Sequence, residues 1–285
     1  VTHPTKPGLK IPQMFEAAIN KELKGLWIIG EDIVQTDPNS AHVIEAMNSL
    51  ELLVVQEIFM SETAKLATVV LPGTTFLEKD GTFTNTERRI QRVNRAVPPL
   101  PGTKPDGLIV TEMMQKLGFD QPTYDADQVL AEIADIVPFF KGVTRERLGK
   151  FGLQWPVQED GTDTKILHTE TFKLGKGRLK NFDWKESSEI EANQKDYPLI
   201  LTTSRVLQHY NAATMTRRTK NINIVDEDVL LIHPKDAAHR DLNTGDIGRL
   251  YSGRGEVALK VEVTDKVKEG IVFTTFHFPE HMVNM

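Results

Sequence analysis

The chain has 285 residues, 39% of them hydrophobic and 26% charged, enough for two domains and too apolar for a disordered protein. Its 34 basic and 40 acidic residues leave a net charge of −6, so no basic excess points to a nucleic-acid partner, and no apolar run approaches the length of a membrane span. Cysteine is absent, which excludes disulfides, thiolate metal sites, cysteine-held iron–sulfur clusters and cysteine nucleophiles within this sequence.

The opening stretch, VTHPTKPGLKIP, lacks the charged and apolar regions of a signal peptide and reads as a cut inside a longer protein. Residues 11 to 24 place Ile11, Met14, Phe15, Ala18 and Ile19 at helical spacing. Leu26-Trp27-Ile28-Ile29 is a short buried strand that ends at Gly30-Glu31-Asp32. Asp37 to Ser40 starts a helix over residues 41 to 50. Leu52 to Val55 is a second strand, followed by Gln56-Glu57-Ile58-Phe59, and Ser61 caps a short helix. Val69 to Leu71 is a third strand. Continuous apolar strands alternating with helices imply a parallel sheet covered on both faces, and ligands of such sheets sit beyond the strands' C-terminal ends. The loops at 30–36, 56–60 and 72–89 are therefore expected on one rim.

The stretch Thr68–Arg92, TVVLPGTTFLEKDGTFTNTERRIQR, is the most distinctive part of the sequence. Its hydroxyls, its amide and the pair Arg88-Arg89 suit an oxygen-rich ligand, because a guanidinium grips phosphate or carboxylate in a planar fork. A charged hairpin satisfies the same composition, and composition does not choose between the two. Pro98 to Pro105 is a connector, and helices are expected over Asp106–Leu117, Asp127–Ile136 and Thr144–Leu148. Gln154 to Asn193 reads as irregular. After about Lys195 the texture becomes β: Pro198–Thr203, Val229–Ile232, Ile247–Tyr251, Val257–Val263 and Ile271–Phe276 are strand-like, separated by turns. The expected architecture is α/β, with a Rossmann-like parallel-sheet domain over residues 1–194 and a β-barrel over 195–285.

Candidate chemistry lies mostly at strand ends. Asp32 could accept from a base or ribose, or cap the next helix. Gln56 could reach a ligand or close a loop. Asp106 alone reads as a helix cap. Arg205 and His209, with backbone donors, are placed around one turn that would fit a pyrophosphate, although most surface Arg and His bind nothing. His277 has no second His or carboxylate at ligand spacing and is read as packing and hydrogen bonding. No Walker loop, HExxH, GxSxG or strand-following GxGxxG occurs.

These stretches together resemble one family. Thr68–Arg92 is similar to the "LP…E..GTFTN.ERR.Q" segment of molybdopterin-guanine-dinucleotide oxidoreductases. The wider pattern resembles the C-terminal part of the catalytic (alpha) subunit of formate dehydrogenases, above all the soluble NAD-dependent kind. Gly30-Glu31-Asp32 and Thr36 match the "GEDPxxT" turn, with Ile33 where many relatives have Pro. Val55 to Phe59 matches "VQDIF", with Glu57 for Asp. Thr203 to Asn211 and Met215 to Thr219 match "T.R...HYN…T.RT".

The resemblance implies a double-psi barrel of six strands and a bis(molybdopterin guanine dinucleotide) cofactor with Mo or W. It puts Gly30, Glu31, Asp32, Thr36, Gln56, Glu57 and Asp106 on the guanine dinucleotide. It sets Arg205, Val206, Leu207, His209, Asn211, Phe276, His277 and Asn284 against a pterin dinucleotide. The family's terminal "PEYK" segment does not occur, so part of the cofactor cage is expected to be missing. Formate oxidation to carbon dioxide is implied for the parent enzyme, in the cytoplasm. The metal-binding Cys or selenocysteine, a His, the substrate Arg and the iron–sulfur cluster are expected upstream, and no residue here as catalytic or metal-ligating. The chain alone should therefore bind without turnover, with the upstream part of the subunit and electron-transfer subunits as partners. Two alternatives are another superfamily oxidoreductase, such as a nitrate reductase, and a cofactor-free structural subunit of a respiratory complex. The polar set Asp32, Gln56, Asp106, Arg205 and His209 argues against the second, which has no use for it.

Overall fold

The structure, a computed structural model, describes residues 5–283. Its first elements are α1 (Ile11–Ile19), β1 (Gly25–Ile29), α2 (Ile33–Thr36), α3 (Ser40–Asn48), β2 (Leu52–Glu57), α4 (Glu62–Lys65) and β3 (Val69–Pro72). Then follow β4 (Gly81–Thr84), β5 (Arg89–Val93), α5 (Asp106–Lys116), α6 (Ala126–Ile136), α7 (Arg145–Leu148) and β6 (Leu153–Gln154). The last are α8 (Ser188–Asn193), β7 (Ile200–Ser204), β8 (Val229–Ile232), α9 (Pro234–Ala238), β9 (Ile247–Tyr251), β10 (Glu256–Val263) and β11 (Ile271–Thr275). The chain forms two compact units, residues 1–70 with 183–285, and residues 71–182. Among the described residues no helix is long and apolar enough to cross a membrane.

In the first unit, β1, β2 and β3 form a sheet in that order, with β1 and β2 parallel and Leu26 opposite Leu53. Ile28, Leu53 and Val55 are buried and pack with Phe15 and Ala18 of α1 and Val43, Ala46 and Met47 of α3. The face carrying Ile28, Leu53 and Val55 is the buried one; on the other, Trp27 and Val54 are half-buried and Ile29 and Leu52 exposed, so among the described residues the sheet is not covered evenly on both faces as its apolar runs suggest. α1 ends at Ile19, shorter than the helical spacing suggests, because Lys21 takes φ +63°, a left-handed conformation that no α-helix continues through. Local signals start the other helices. The Asn39 side chain accepts from His42 N–H at 3.3 Å to open α3, and Ser61 accepts from Ala64 N–H at 3.2 Å to open α4.

The strands after Lys195 form a sheet of their own, in the order β7-β11-β8-β10-β9. It is mixed: β11 runs parallel to β7 and antiparallel to β8, whereas β10 is parallel to β8 and antiparallel to β9. Among the described residues five strands pair in this sheet, which is compatible with the six-stranded barrel that the resemblance implies. Leu230, Ile232, Leu259, Val261 and Val272 form its core with Ala237 of α9.

The second unit settles the form of the distinctive stretch. Residues 81–93 are not an open loop but an antiparallel hairpin, β4 with β5, extended by β6. Ile90 is fully buried in a core with Leu130, Val143, Leu148 and Val157. Arg88, at the hairpin tip, donates to the carbonyls of Thr164 and Lys165, each at 3.1 Å, and to that of Trp155. Arg89 pairs with Glu87 at 3.1 Å. The guanidinium fork is thus engaged by the chain's own backbone, which is the hairpin alternative rather than the ligand-loop one.

Candidate functional site

The C-terminal ends of β1 and β2 lie side by side. Gly30 N–H donates to the Gln56 carbonyl at 2.9 Å, adding one step to the parallel ladder. Gly30 has φ +65° and open space where a Cβ would point, so the chain leaves β1 through a conformation that glycine takes without strain. Glu31 next to it is exposed, whereas Asp32 is buried at 4% exposure.

The Asp32 side chain does not cap α2, the helix it precedes. It reaches α4 instead: Oδ1 accepts from Thr63 N–H at 2.9 Å and from the Thr63 hydroxyl at 2.8 Å, and Oδ2 takes a longer bond from Glu62 N–H at 3.4 Å. Thr36, exposed, donates its hydroxyl to the Asp32 carbonyl at 3.1 Å. Gln56 is fully buried, and half-buried Glu57 accepts from Ile58 N–H at 2.7 Å.

The second group of expected residues follows β7. Arg205 is exposed, with its guanidinium carbon 5.4 Å from the centre of the Phe276 ring. Val206 N–H donates to His277 Nε2 at 3.1 Å, and His277 Nδ1 lies 2.8 Å from the Asn211 carbonyl. A carbonyl only accepts, so the proton sits on Nδ1, and one neutral imidazole staples both ends of the loop. Leu207 and Tyr210 between those ends are exposed, while Asn211 and Ala213 take left-handed φ of +49° and +57°. His209 is buried: its Nε2 faces the Val225 carbonyl at 2.8 Å and its Nδ1 the Thr216 hydroxyl at 3.0 Å.

His277 is fully buried behind this loop, in the turn that follows β11 rather than in the strand. Burial pushes its imidazole below the ordinary range. The His209 and Arg205 charges add to that, and the Asn211 carbonyl and the Asp228 carboxylate oppose it. Asn284 lies outside the described residues. Asp106 belongs to the second unit, at the first position of α5, where its carboxylate pairs with Lys79.

The two groups within the first unit are joined by Gln35, which the sequence reading did not single out, and by Arg217 and Arg218, which it quoted only within the Met215–Thr219 match. Gln35, in α2, donates from Nε2 to the carbonyls of Ala212 at 2.7 Å and His277 at 2.9 Å. Its Oε1 accepts from Arg217 Nη1 at 2.8 Å. Arg218 donates to the Met60 carbonyl at 3.2 Å and lies 4.7 Å over the Phe59 ring, joining the loop after β2 to the same region. Burial lowers the Arg217 guanidinium from its ordinary value. No sequence pattern marks Gln35, because its partners are backbone carbonyls 177 and 242 positions away. Among the described residues no group of three His, Cys, Asp or Glu is arranged to hold a metal ion.

Arg205 is an exposed guanidinium after β7 and Glu31 an exposed carboxylate after β1, whereas the Asp32 carboxylate is turned inward onto Thr63. Comparison with known proteins shows what the chain is similar to. Residues 2–116 match the molybdopterin oxidoreductase model, and residues 199–285 match that of the molybdopterin dinucleotide binding domain. The chain belongs to the molybdopterin oxidoreductases. It is 42% identical over 282 residues to the F420-dependent formate dehydrogenase subunit alpha of Methanocaldococcus jannaschii, covering 98% of this chain and 42% of that one. It is 41% identical over 283 residues to the F420-dependent formate dehydrogenase 2 subunit alpha of Methanococcus maripaludis, covering 97% and 41%. The chain therefore spans about two fifths of the length of these relatives. Among solved structures, acetylene hydratase from Pelobacter acetylenicus shares the fold, with a TM-score of 0.68 at 19% identity, over 93% of this chain and 39% of that one.

Proposed function

We propose that this chain is the dinucleotide-binding, C-terminal portion of a formate dehydrogenase alpha subunit that oxidises formate to carbon dioxide. The supporting observation is the loop Val206–Asn211, closed from behind by His277 and joined through Gln35 to the turn after β1. Both segments keep polar groups outward, Arg205 on one and Glu31 and Thr36 on the other. In this reading Arg205, Leu207 and Asn211 hold the pyrophosphate and pterin, Val206 fixes the loop through its N–H bond to His277 Nε2, and His209, Phe276, His277 and Asn284 support them. Gly30, Glu31, Asp32, Thr36, Gln56, Glu57 and Asp106 receive the guanine dinucleotide. Residues 1–194 and 195–285 are proposed as the two binding domains.

When bound, the bis(molybdopterin guanine dinucleotide) supplies a Mo or W atom that takes up the two electrons released as formate becomes carbon dioxide and a proton. This chain's residues bind and orient; they neither ligate the metal nor act on formate. The metal ligand, the substrate arginine and an iron–sulfur cluster are assigned to the remainder of the subunit, with electron-transfer subunits as partners and a cytoplasmic location.

The test is chemical. The enzyme containing this sequence should release guanine nucleotide and Mo or W on denaturation and reduce a dye with formate, and the chain alone should not reduce it. An enzyme free of guanine nucleotide would overturn the binding role. Formate-dependent dye reduction by contaminant-free chain would overturn the division of labour.

A further inference from the structure

Asp228 stands immediately before β8, the middle strand of the five-stranded sheet, and is fully buried. Its carboxylate is bonded along one turn. Oδ1 accepts from His277 N–H at 3.2 Å and from the Thr275 hydroxyl, and Oδ2 accepts from Phe278 N–H at 3.2 Å. Two successive amides, His277 and Phe278, thus point at one acceptor group, and an apolar side chain here would leave both buried without a partner. A buried carboxylate is tolerated only when its lone pairs are taken up in this way. The turn so fixed carries His277, and every polar group of His277 is in use. Its ring bonds Val206 and Asn211, and its carbonyl accepts from Gln35. The geometry runs from a rigid strand, through one carboxylate, to the shape of the exposed loop.

We propose that Asp228 is a positioning residue for the cofactor-binding loop: by fixing the turn Thr275–Phe278 it sets His277, and through His277 the conformation of Val206–Asn211. The inference rests on the reading of that loop as dinucleotide-binding. It gives Asp228 a role that no local sequence pattern carries.

Amide hydrogen exchange on the full chain tests it. Asp228→Ala is expected to speed exchange across residues 205–213 at least tenfold while leaving β10 unchanged, and Asp228→Asn, which keeps one acceptor oxygen, to do so less. His277→Gln should reproduce the pattern, and the double variant should exchange no faster than the quicker single. In the holoenzyme the guanine nucleotide released per protein should fall in the same order. Unchanged exchange at 205–213, an equal rise in β10, or additive effects in the double variant would each overturn the proposal. If Asp228→Ala does not fold, Asp228→Asn alone decides, with a threefold rise confined to 205–213 expected. Guanine nucleotide missing from the wild-type holoenzyme would refute the cofactor reading instead, and the exchange pattern would still report on Asp228.

Discussion

Asp32 and Thr63 are bonded twice, through the Thr63 amide at 2.9 Å and the Thr63 hydroxyl at 2.8 Å, although 31 positions separate them. The same hydroxyl accepts from Val34 N–H at 3.1 Å. Thr63 is thus a two-way bridge between the turn after β1 and the first turn of α4, and it is fully buried.

Thr63→Val keeps the shape and removes the bridge. It leaves Val34 N–H without its acceptor and Asp32 with one donor fewer. Leaving a buried polar group unsatisfied costs about 1–3 kcal/mol, so denaturant unfolding should show a loss in that range. Unchanged stability would mean that water reaches the turn and replaces the hydroxyl.

Gln35 supplies the next expected outcome. Gln35→Ala removes both donors to Ala212 and His277 and the acceptor for Arg217, leaving a partly buried guanidinium short of a partner. The loss should be about 2–4 kcal/mol, with faster proteolytic cleavage within residues 205–217 than elsewhere. Cleavage that speeds uniformly along the chain would show that Gln35 serves global stability and not this junction.

Which parts could be read from the sequence follows from the range of the interactions. Ser61 and Asn39 cap their helices through bonds spanning three residues, and such signals are visible in a local window. The strands β1 and β2 are equally visible as apolar runs, although only the face of Ile28, Leu53 and Val55 is fully buried. The strand-end positions of Gly30, Asp32 and Gln56 came out of the same pattern, whereas Arg205 follows β7, whose five residues are all exposed. What the pattern leaves open is where a side chain turns. Asp32 sits where a cap for α2 belongs but bonds α4, because tertiary packing brings Thr63 closer than the following turn. Gln35 and Asp228 act on backbone groups contributed by distant segments, and no spacing rule encodes that. The hairpin at 81–93 stayed one of two open readings for another reason. Its turn is Asn85 to Arg88, with the left-handed position filled by Arg88 rather than by glycine.

His277 makes the stapled loop sensitive to acid. Burial holds its imidazole below the ordinary value of about 6.5, so the unfolded chain takes up the proton first as pH falls. The contribution of the staple is complete above about 6.5 and is lost as pH drops through the lower value in the folded protein. Protonation would put a second N–H on the ring and remove the acceptor for Val206 N–H. Amide exchange at Val206–Asn211, corrected for intrinsic rates, should accelerate on acidification below about 6.5, and His277→Gln should flatten that dependence. An equal pH dependence in wild type and variant would show that another group controls the loop.

Asp106 allows structural and binding roles to be separated within the second unit. Its carboxylate pairs with Lys79 at the start of α5, and the side chain is 38% exposed. An ion pair of that exposure contributes roughly 0–1 kcal/mol, and Asn at a helix N-terminus is tolerated nearly as well as Asp. Asp106→Asn should therefore shift stability by less than about 1 kcal/mol. A contact to guanine is different, because a carboxylate accepts from two adjacent donors at once and an amide oxygen replaces only part of that. Losing one charge-assisted pair there should cost about 1.5–3 kcal/mol, or roughly ten- to a hundredfold in affinity. The expected outcome in the full enzyme is a normally folded Asp106→Asn protein with lowered guanine nucleotide and metal content. Normal content in the folded variant would assign Asp106 to the Lys79 pair alone and leave guanine recognition to the turn after β1.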